Sequence, residues 1–240
     1  MIRTISKLSK IEASKNSSNP MRFNGSLPIN IVVLKTLTMN RYKLLLGSRE
    51  FTTKSQKKLE SGAKYWGNFG ESKNGIITIS NLVKKPNFLQ NDENFLDIDV
   101  MKFLEELIKV ESPLSTLKEW LLENLANEET QKDTFKLFSE MLLALKEGII
   151  HLPLKQKEKA NLLQIRLAPN HIEFYCAYEN LGPIIGTIDD EILDLKVLFH
   201  KTHSFLTKEL RKSKISANIS INQQIEPLYT SDKLILDLKG

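Results

Sequence analysis

The sequence lacks the features that stabilise secreted and membrane-embedded proteins. It has a single cysteine, Cys176, among 240 residues, which excludes an internal disulfide framework and a multi-cysteine zinc site. No stretch approaches roughly 18 consecutive apolar residues, so the sequence predicts no membrane span. The first residues contain no apolar run of about seven, as a cleavable secretory signal would. These absences favour a reducing compartment, and we expect a cytoplasmic location.

Sequence motifs of catalysis are also missing. No phosphate-binding loop, nucleophile elbow or dinucleotide fingerprint occurs. His200 and His203 are spaced like two metal ligands on a helix, but no third ligand accompanies them, and catalytic zinc needs three protein ligands. Asp189, Asp190 and Glu191 together are typical of a solvated turn rather than a cation site. The sequence therefore predicts a protein that is not an enzyme, with no catalytic, metal-binding or cofactor-binding residues.

The net charge of +5 conceals a division along the chain. Residues 1–90 hold 16 Lys or Arg against four acids, whereas residues 91–240 hold 18 basic and 25 acidic residues. The first part therefore has a formal charge of +12 and the second a formal charge of −7. We expect two modules with different surfaces.

Composition and periodicity divide the chain into five segments. The first, rich in Ser, Asn and Lys, has too little apolar surface to offset the entropy of ordering, so we expect it to be disordered. An amphipathic membrane anchor is the alternative for this segment, because four apolar residues recur every three positions. The predicted segments are a disordered 1–26, a small β module 27–85, a polar linker 86–94, a helical segment 95–148 and a β-rich domain 149–240.

Five short apolar segments separated by turns predict that residues 27–85 form a small barrel-like module, of the type that binds oligonucleotides or oligosaccharides. Gly47-Ser48 and Asn74-Gly75 are the clearest turns. Tyr65 and Trp66 lie among basic residues, an arrangement that can stack on single-stranded nucleic acid. We favour the alternative that these rings are core residues, because no ribonucleoprotein-type motif is present.

Three amphipathic helices are predicted in the helical segment. Asp97 or Asp99 can cap the first helix, and Pro113 suits the first turn of the second. The third runs from about residue 129 to 147 and ends at Gly148. The apolar stripes are wide, so the helices either pack against the C-terminal sheet or leave a groove for a partner helix. We expect packing against the sheet.

The period of the apolar residues changes twice near the C-terminus. Ile184, Gly186 and Ile188 share one face of a strand, and apolar and polar residues alternate again along residues 193–199. From about Lys201 a helical stripe of Phe205, Leu206 and Leu210 follows, and alternation returns over 215–221. This order predicts a β-β-α-β unit in a mainly antiparallel sheet, and with the helices an α+β fold.

The residues of this unit resemble the C-terminal domain of bacterial flagellar hook-length control proteins. Such domains carry a Leu-Gly-Pro/Arg-hydrophobic signature before a strand, a helix with leucines and a closing strand. Residues 150–222 match this pattern, and residues 28–80 more loosely match the β module that precedes the domain in some members. The chain has no long Pro/Gln-rich gauge segment, so the resemblance does not imply length measurement. The matching signature residues are Leu181, Gly182, Pro183 and Ile184.

The resemblance implies a non-enzymatic flagellar assembly protein whose partner belongs to the cytoplasmic part of the flagellar type III export apparatus. It also implies export through that apparatus without a cleaved signal. Lys208, Arg211 and Lys212 form a basic patch in an acidic half of the chain, so we expect them to attract an acidic partner surface. One alternative is a co-chaperone or adaptor whose helical segment binds a flagellar export chaperone. Another is a nucleic-acid-binding protein that uses the basic β module.

Overall fold

The protein has an α+β fold, as the sequence predicts. Its computed structural model describes residues 8–12, 25–70, 78–90, 95–96, 98–156, 159–190, 192–213 and 215–230. These ranges comprise a curved antiparallel sheet, three consecutive helices, and a second sheet interrupted by a fourth helix. None of the helices in these ranges is long and apolar enough to cross a bilayer.

The first sheet forms the barrel-like module. Its strands lie in the order β1-β4-β3-β2-β5-β6, and all neighbours are antiparallel. The outer strands β1 and β6 meet at a single residue pair, Leu8 and Ile79. The predicted turn at Gly47-Ser48 is confirmed, because Leu46 pairs with Arg49 and Gly47 has a φ of +61°. The strands are β1 Leu8–Glu12, β2 Ile29–Thr36, β3 Arg41–Leu46, β4 Arg49–Ser55, β5 Lys64–Phe69 and β6 Ile79–Lys84.

One strand of this module contradicts the sequence-based expectation of disorder. Residues 8–12 form β1, which pairs with β4 from Leu8 opposite Ser55 to Glu12 opposite Thr52. The prediction is wrong here because β4 supplies backbone partners that composition does not reveal. Residues 1–7 and 13–24, and the predicted turn at Asn74-Gly75, lie outside the described residues.

Three helices follow, and their ends obey the predicted rules. The Asp99 carboxylate caps α1 by accepting hydrogen bonds from the backbone N–H groups of Met101 and Lys102 at 3.0 and 3.2 Å. Pro113 is the first residue of α2, and Gly148 follows α3 with a φ of +76°. The helices pack on the second sheet, as expected. Their ranges are α1 Val100–Leu107, α2 Pro113–Ala126 and α3 Lys132–Lys146.

The second sheet has six strands in the order β12-β11-β10-β9-β8-β7. Only β11 and β12 are parallel, because α4 connects them, so the predicted β-β-α-β unit in a mainly antiparallel sheet is confirmed. One face, which we call the helix face, packs against all four helices. The elements are β7 Ile149–Gln156, β8 Lys159–Leu167, β9 His171–Tyr178, β10 Gly182–Asp189, β11 Ile192–Val197, α4 His200–Ser213 and β12 Ala217–Ile221.

The opposite face of this sheet, which we call the barrel face, packs against the first module. Trp66 of the barrel and Tyr175 of the sheet share a buried cluster with Leu89 and Phe199. Leu89 belongs to a 3-10 turn, Asn87–Leu89, inside the region predicted as a polar linker. That prediction is wrong for these residues, because the turn packs between the two modules instead of crossing solvent.

Candidate partner-binding surface

The Leu-Gly-Pro-Ile signature joins the start of β10 to the start of α4. Gly182 has a φ of +77°, a left-handed conformation that favours glycine. A Cβ at this position would lie 2.5 Å from Cε2 of the Phe199 ring, so no larger residue fits without a shift. The Leu181 carbonyl accepts a hydrogen bond of 2.6 Å from the hydroxyl of Thr202, which is fully buried. The signature therefore has a structural role, because it holds the start of β10 against the start of α4.

Helix α4 lies on the helix face through a narrower stripe than the periodicity predicts. Leu206 and Leu210 pack against Val197, as expected, but Phe205 is 38 % exposed. The prediction that Phe205 shares the buried stripe is wrong, because about 100° of rotation per residue places it on the flank of the helix. There it borders a cavity of ≈ 370 Å³ together with Tyr178. The Phe205 flank thus faces the end of β9 and the turn that follows it.

The three candidate basic residues point in different directions from α4. At about 100° per residue, Lys212 lies on the flank of Phe205, Arg211 lies on the opposite flank, and Lys208 lies between them on the side that faces away from the sheet. All three are exposed. The Lys212 ammonium pairs with the Glu209 carboxylate at 2.7 Å. Lys208 and Arg211 have no ion pair in the described part of the chain, so they are available to an acidic partner.

An apolar row crosses the helix face between the two groups of helices. Leu167, Ile172 and Ile188 lie opposite one another on β8, β9 and β10, and they are 43, 37 and 39 % exposed. Helices α1–α3 pack on β7 and β8, and α4 packs on β11 and β12. The sheet between them therefore retains exposed apolar side chains, a property of surfaces that bind other proteins. We call these three residues the apolar row.

The barrel face carries a polar row instead. Thr187 and Asp194 line a cleft of ≈ 420 Å³ on this face. Asp194 accepts a hydrogen bond of 2.7 Å from the Asn218 side chain. At the other end of this polar row, the Glu173 carboxylate accepts a hydrogen bond of 2.9 Å from the Arg166 side chain. A hydrogen bond with His171, together with Arg166, lowers the pKa of Glu173 below its ordinary value. Asp194 and Glu173 are thus each bound by neighbouring side chains, an arrangement typical of structural hydrogen bonds.

Tyr65 and Trp66, the candidate nucleic-acid contacts, are buried at 3 and 1 % exposure. The Tyr65 hydroxyl accepts a hydrogen bond of 3.1 Å from the backbone N–H of Glu60. The Trp66 indole donates one of 3.1 Å to the carbonyl of Glu179 in the second sheet. The favoured interpretation that both rings are core residues is confirmed. The alternative of nucleic-acid contact fails for both, because neither ring has a free face on which a base can stack. Trp66 instead joins the two modules.

A buried polar cluster on the barrel face escaped the sequence analysis. The Gln164 amide nitrogen lies 2.9 Å from Nδ1 of His151 and donates to the Tyr229 carbonyl at 2.8 Å. Because an amide nitrogen only donates, His151 Nδ1 must accept, and the ring is neutral. Burial lowers the pKa of His151 to about 3. Alternation along β7 and β8 places the His151 and Gln164 side chains on the face away from the helices. It does not reveal that the segment around Tyr229 covers them.

The remaining candidate ligands do not form a cluster. His200 is exposed, His203 is half-buried, and across the described ranges no three His, Cys, Asp or Glu side chains lie close enough to share a metal ion. Glu191 lies outside these ranges. Cys176 is buried, and burial raises the pKa of its thiol to about 12. A protonated, enclosed thiol is a poor nucleophile.

Comparison with known proteins gives no relative. At the significance required, the chain matches no protein-family model, no curated protein and no solved structure.

Proposed function

We propose that the chain is a non-enzymatic flagellar assembly protein that binds a component of the flagellar type III export apparatus through its C-terminal half. The proposal rests on the resemblance of residues 150–222 to hook-length control proteins. The observation that supports it most is that one domain exposes both the apolar row and the cations Lys208 and Lys212 of α4. The apolar row and the α4 cations both lie within residues 150–222, which carry the resemblance, and both are exposed to a partner.

The chemistry of this surface favours a protein partner with acidic and apolar groups. Removal of the exposed apolar row from water makes a favourable contribution to the free energy of binding. The cations of α4 lie in an otherwise acidic half of the chain, so they attract an acidic surface and mainly accelerate association. The resemblance implies that a partner of this kind belongs to the cytoplasmic side of the flagellar export apparatus, through which the chain itself is exported.

Charge reversal on α4 tests the proposal. We expect Lys208→Glu, Arg211→Glu and Lys212→Glu together to reduce capture of export components from a flagellated host by about tenfold or more, since each rim charge contributes modestly. The thermal unfolding midpoint should change little, because the three side chains are exposed. Capture is measured by quantitative mass spectrometry of a pull-down with the full chain.

Three exposed lysines on the helical segment provide the matched control: Lys102, Lys109 and Lys118. Their reversal to Glu changes the net charge by the same amount at a different place. The proposal predicts that this control retains capture. Equal capture by the α4 variant and the parent chain would contradict the proposal.

The co-chaperone alternative has an observation of its own. Met101 on α1 is 64 % exposed, Ile108 at the C-terminal end of α1 is 75 % exposed, and Phe135 on α3 is 49 % exposed. Exposed apolar side chains on helices fit a partner that packs helix against helix. If this alternative holds, Ile108→Ser with Phe135→Ser abolishes capture of a flagellar export chaperone, and the α4 reversal does not.

A further inference from the structure

The strand β12 forms one edge of the six-stranded sheet, and its outward backbone groups are unpaired in the described residues. Only β11 pairs with it. The Ser216 carbonyl accepts from Leu193 N–H at 3.1 Å, and the Asn222 N–H donates to the Val197 carbonyl at 2.9 Å. Since the direction of backbone groups alternates along a strand, even-numbered residues bond β11. The N–H and C=O groups of Ala217, Ile219 and Ile221 therefore point away from the sheet.

The opposite edge of the same sheet is protected. There β7 contains Pro153, whose carbonyl accepts a hydrogen bond of 2.8 Å from Leu96, and the Leu96 carbonyl accepts one of 2.9 Å from Lys155. Proline and a covering segment are common means by which proteins block an edge strand. The residues of β12, Ala217–Ile221 with sequence ANISI, include neither a proline nor a charge. The contrast marks β12 as the edge that is open to a further strand.

The surroundings of this edge define which strand fits. Side chains on the helix face of an added strand would lie beside Ile221, which is 38 % exposed, and beneath the outer flank of α4. That flank carries Arg211, which is exposed and has no ion pair in the described ranges. Apolar residues at alternate positions would extend the contacts of Ile219 and Ile221. A carboxylate at one of these positions would pair with Arg211.

We propose that β12 binds an extended acidic segment of a partner protein by strand addition. The added strand receives its affinity from backbone hydrogen bonds to Ala217, Ile219 and Ile221, and its specificity from alternate apolar side chains and one carboxylate. This inference rests on the proposed function, because it names the chemistry of the partner segment that the C-terminal half binds.

A set of synthetic ten-residue peptides tests the proposal. Each alternates valine with serine and has one valine replaced by aspartate; a second set has lysine in place of aspartate. We expect the full chain to bind members of the aspartate set and to bind the lysine set at least about tenfold more weakly, because a lost charge-assisted hydrogen bond has about that effect. Amide hydrogen exchange of Ala217, Ile219 and Ile221 should slow when a peptide binds.

The blocking variant is Ala217→Pro, with Ala217→Ser as its matched control. The Ala217 N–H points outward, so proline at this position removes an outward donor and leaves the bonds to β11 in place. We expect Ala217→Pro to weaken peptide binding about tenfold or more and Ala217→Ser to leave it unchanged. N-methylation of alternate peptide residues gives the same test on the parent chain, whether or not the proline variant folds.

Three outcomes would overturn this proposal: no binding by any aspartate peptide, binding with unchanged exchange of the three amides, or concentration-dependent protection of these amides in the free protein. The last would mean that a second copy of the chain occupies the edge.

If Ala217→Pro captures the export component as the parent does, the edge proposal fails and the proposed function stands. If peptides bind but no export component is captured, the proposed function fails and the edge proposal stands.

Discussion

Gly182 shows most directly how a single residue organises the C-terminal unit. Its positive φ turns the chain into β10, and the missing Cβ leaves the space that the Phe199 ring fills. The adjacent Leu181 carbonyl bonds Thr202 at the first turn of α4. The strand, the helix and the barrel-face cluster therefore meet at one place, and a side chain there affects all three.

We predict that Gly182→Ala lowers the free energy of unfolding by about 2–4 kcal/mol, because backbone strain and overlap with Phe199 add. Gly148→Ala is the matched control: Gly148 has nearly the same φ, +76°, but nothing lies within 4 Å of the added Cβ. The control should lose only about 1 kcal/mol. Urea denaturation measures both. Equal losses would show that the contact with Phe199 does not constrain position 182.

His151 makes stability depend on pH. Its pKa is lowered from 6.5 to about 3 by burial, so between these values the unfolded chain binds a proton that the folded chain does not. The free energy of unfolding therefore keeps the whole contribution of neutral His151 above pH 6.5, and this contribution is lost as the pH decreases towards 3. From pH 7 to pH 5 the loss is about 2 kcal/mol. We predict that His151→Leu has a flatter profile over this range in denaturant titrations. Parallel profiles would contradict burial of a neutral His151.

At the scale of elements, local patterns predict most helices and strands. Alternation predicts β11 and β12, and capping rules predict the start of α1 at Asp99 and of α2 at Pro113. Contacts between distant elements are not encoded in those patterns. The strand β1 depends on β4, about forty residues away, so composition indicates disorder instead. Phe205 illustrates the same limit, because a helical stripe predicts a face but not how much of it the sheet covers.

Trp66 illustrates why the candidate nucleic-acid site differs from the structure. An aromatic ring between basic residues has the same sequence pattern whether it lies at a surface or at an interface between modules. Its partners, Glu179 and Tyr175, are more than 100 residues further along the chain. No local pattern identifies contacts at that separation. The apolar row escaped the sequence analysis for a related reason, because the gap between α3 and α4 is a property of their packing.

The interface at Trp66 gives a prediction for the joining of the two modules. Trp66→Phe keeps most of the apolar body and loses the hydrogen bond to Glu179, at a cost of about 1 kcal/mol. Trp66→Ala also opens a cavity, and we expect a loss of about 3–5 kcal/mol. Unfolding followed by fluorescence and by circular dichroism measures both variants. A loss for Trp66→Ala no larger than for Trp66→Phe would contradict tight packing between barrel and sheet.

The whole molecule combines a basic barrel-like module with an acidic sheet-and-helix half, joined through the barrel face. The apolar row on the helix face, the cations of α4 and the outward backbone groups of β12 remain exposed in the described residues. Because the barrel covers only one face of the sheet, a partner of the C-terminal half can bind without separating the modules. This arrangement supports a role in binding and assembly.

Deletion of the gene in its own organism, followed by electron microscopy of hooks and filaments, tests the central proposal most directly. We predict abnormal hooks or missing filaments and reduced motility at a normal growth rate, because the proposed partner serves flagellar export and not general metabolism. Complementation should succeed with the parent chain and fail with the combined Lys208→Glu, Arg211→Glu and Lys212→Glu variant. Normal hooks, filaments and motility in the deletion strain would contradict the flagellar assignment.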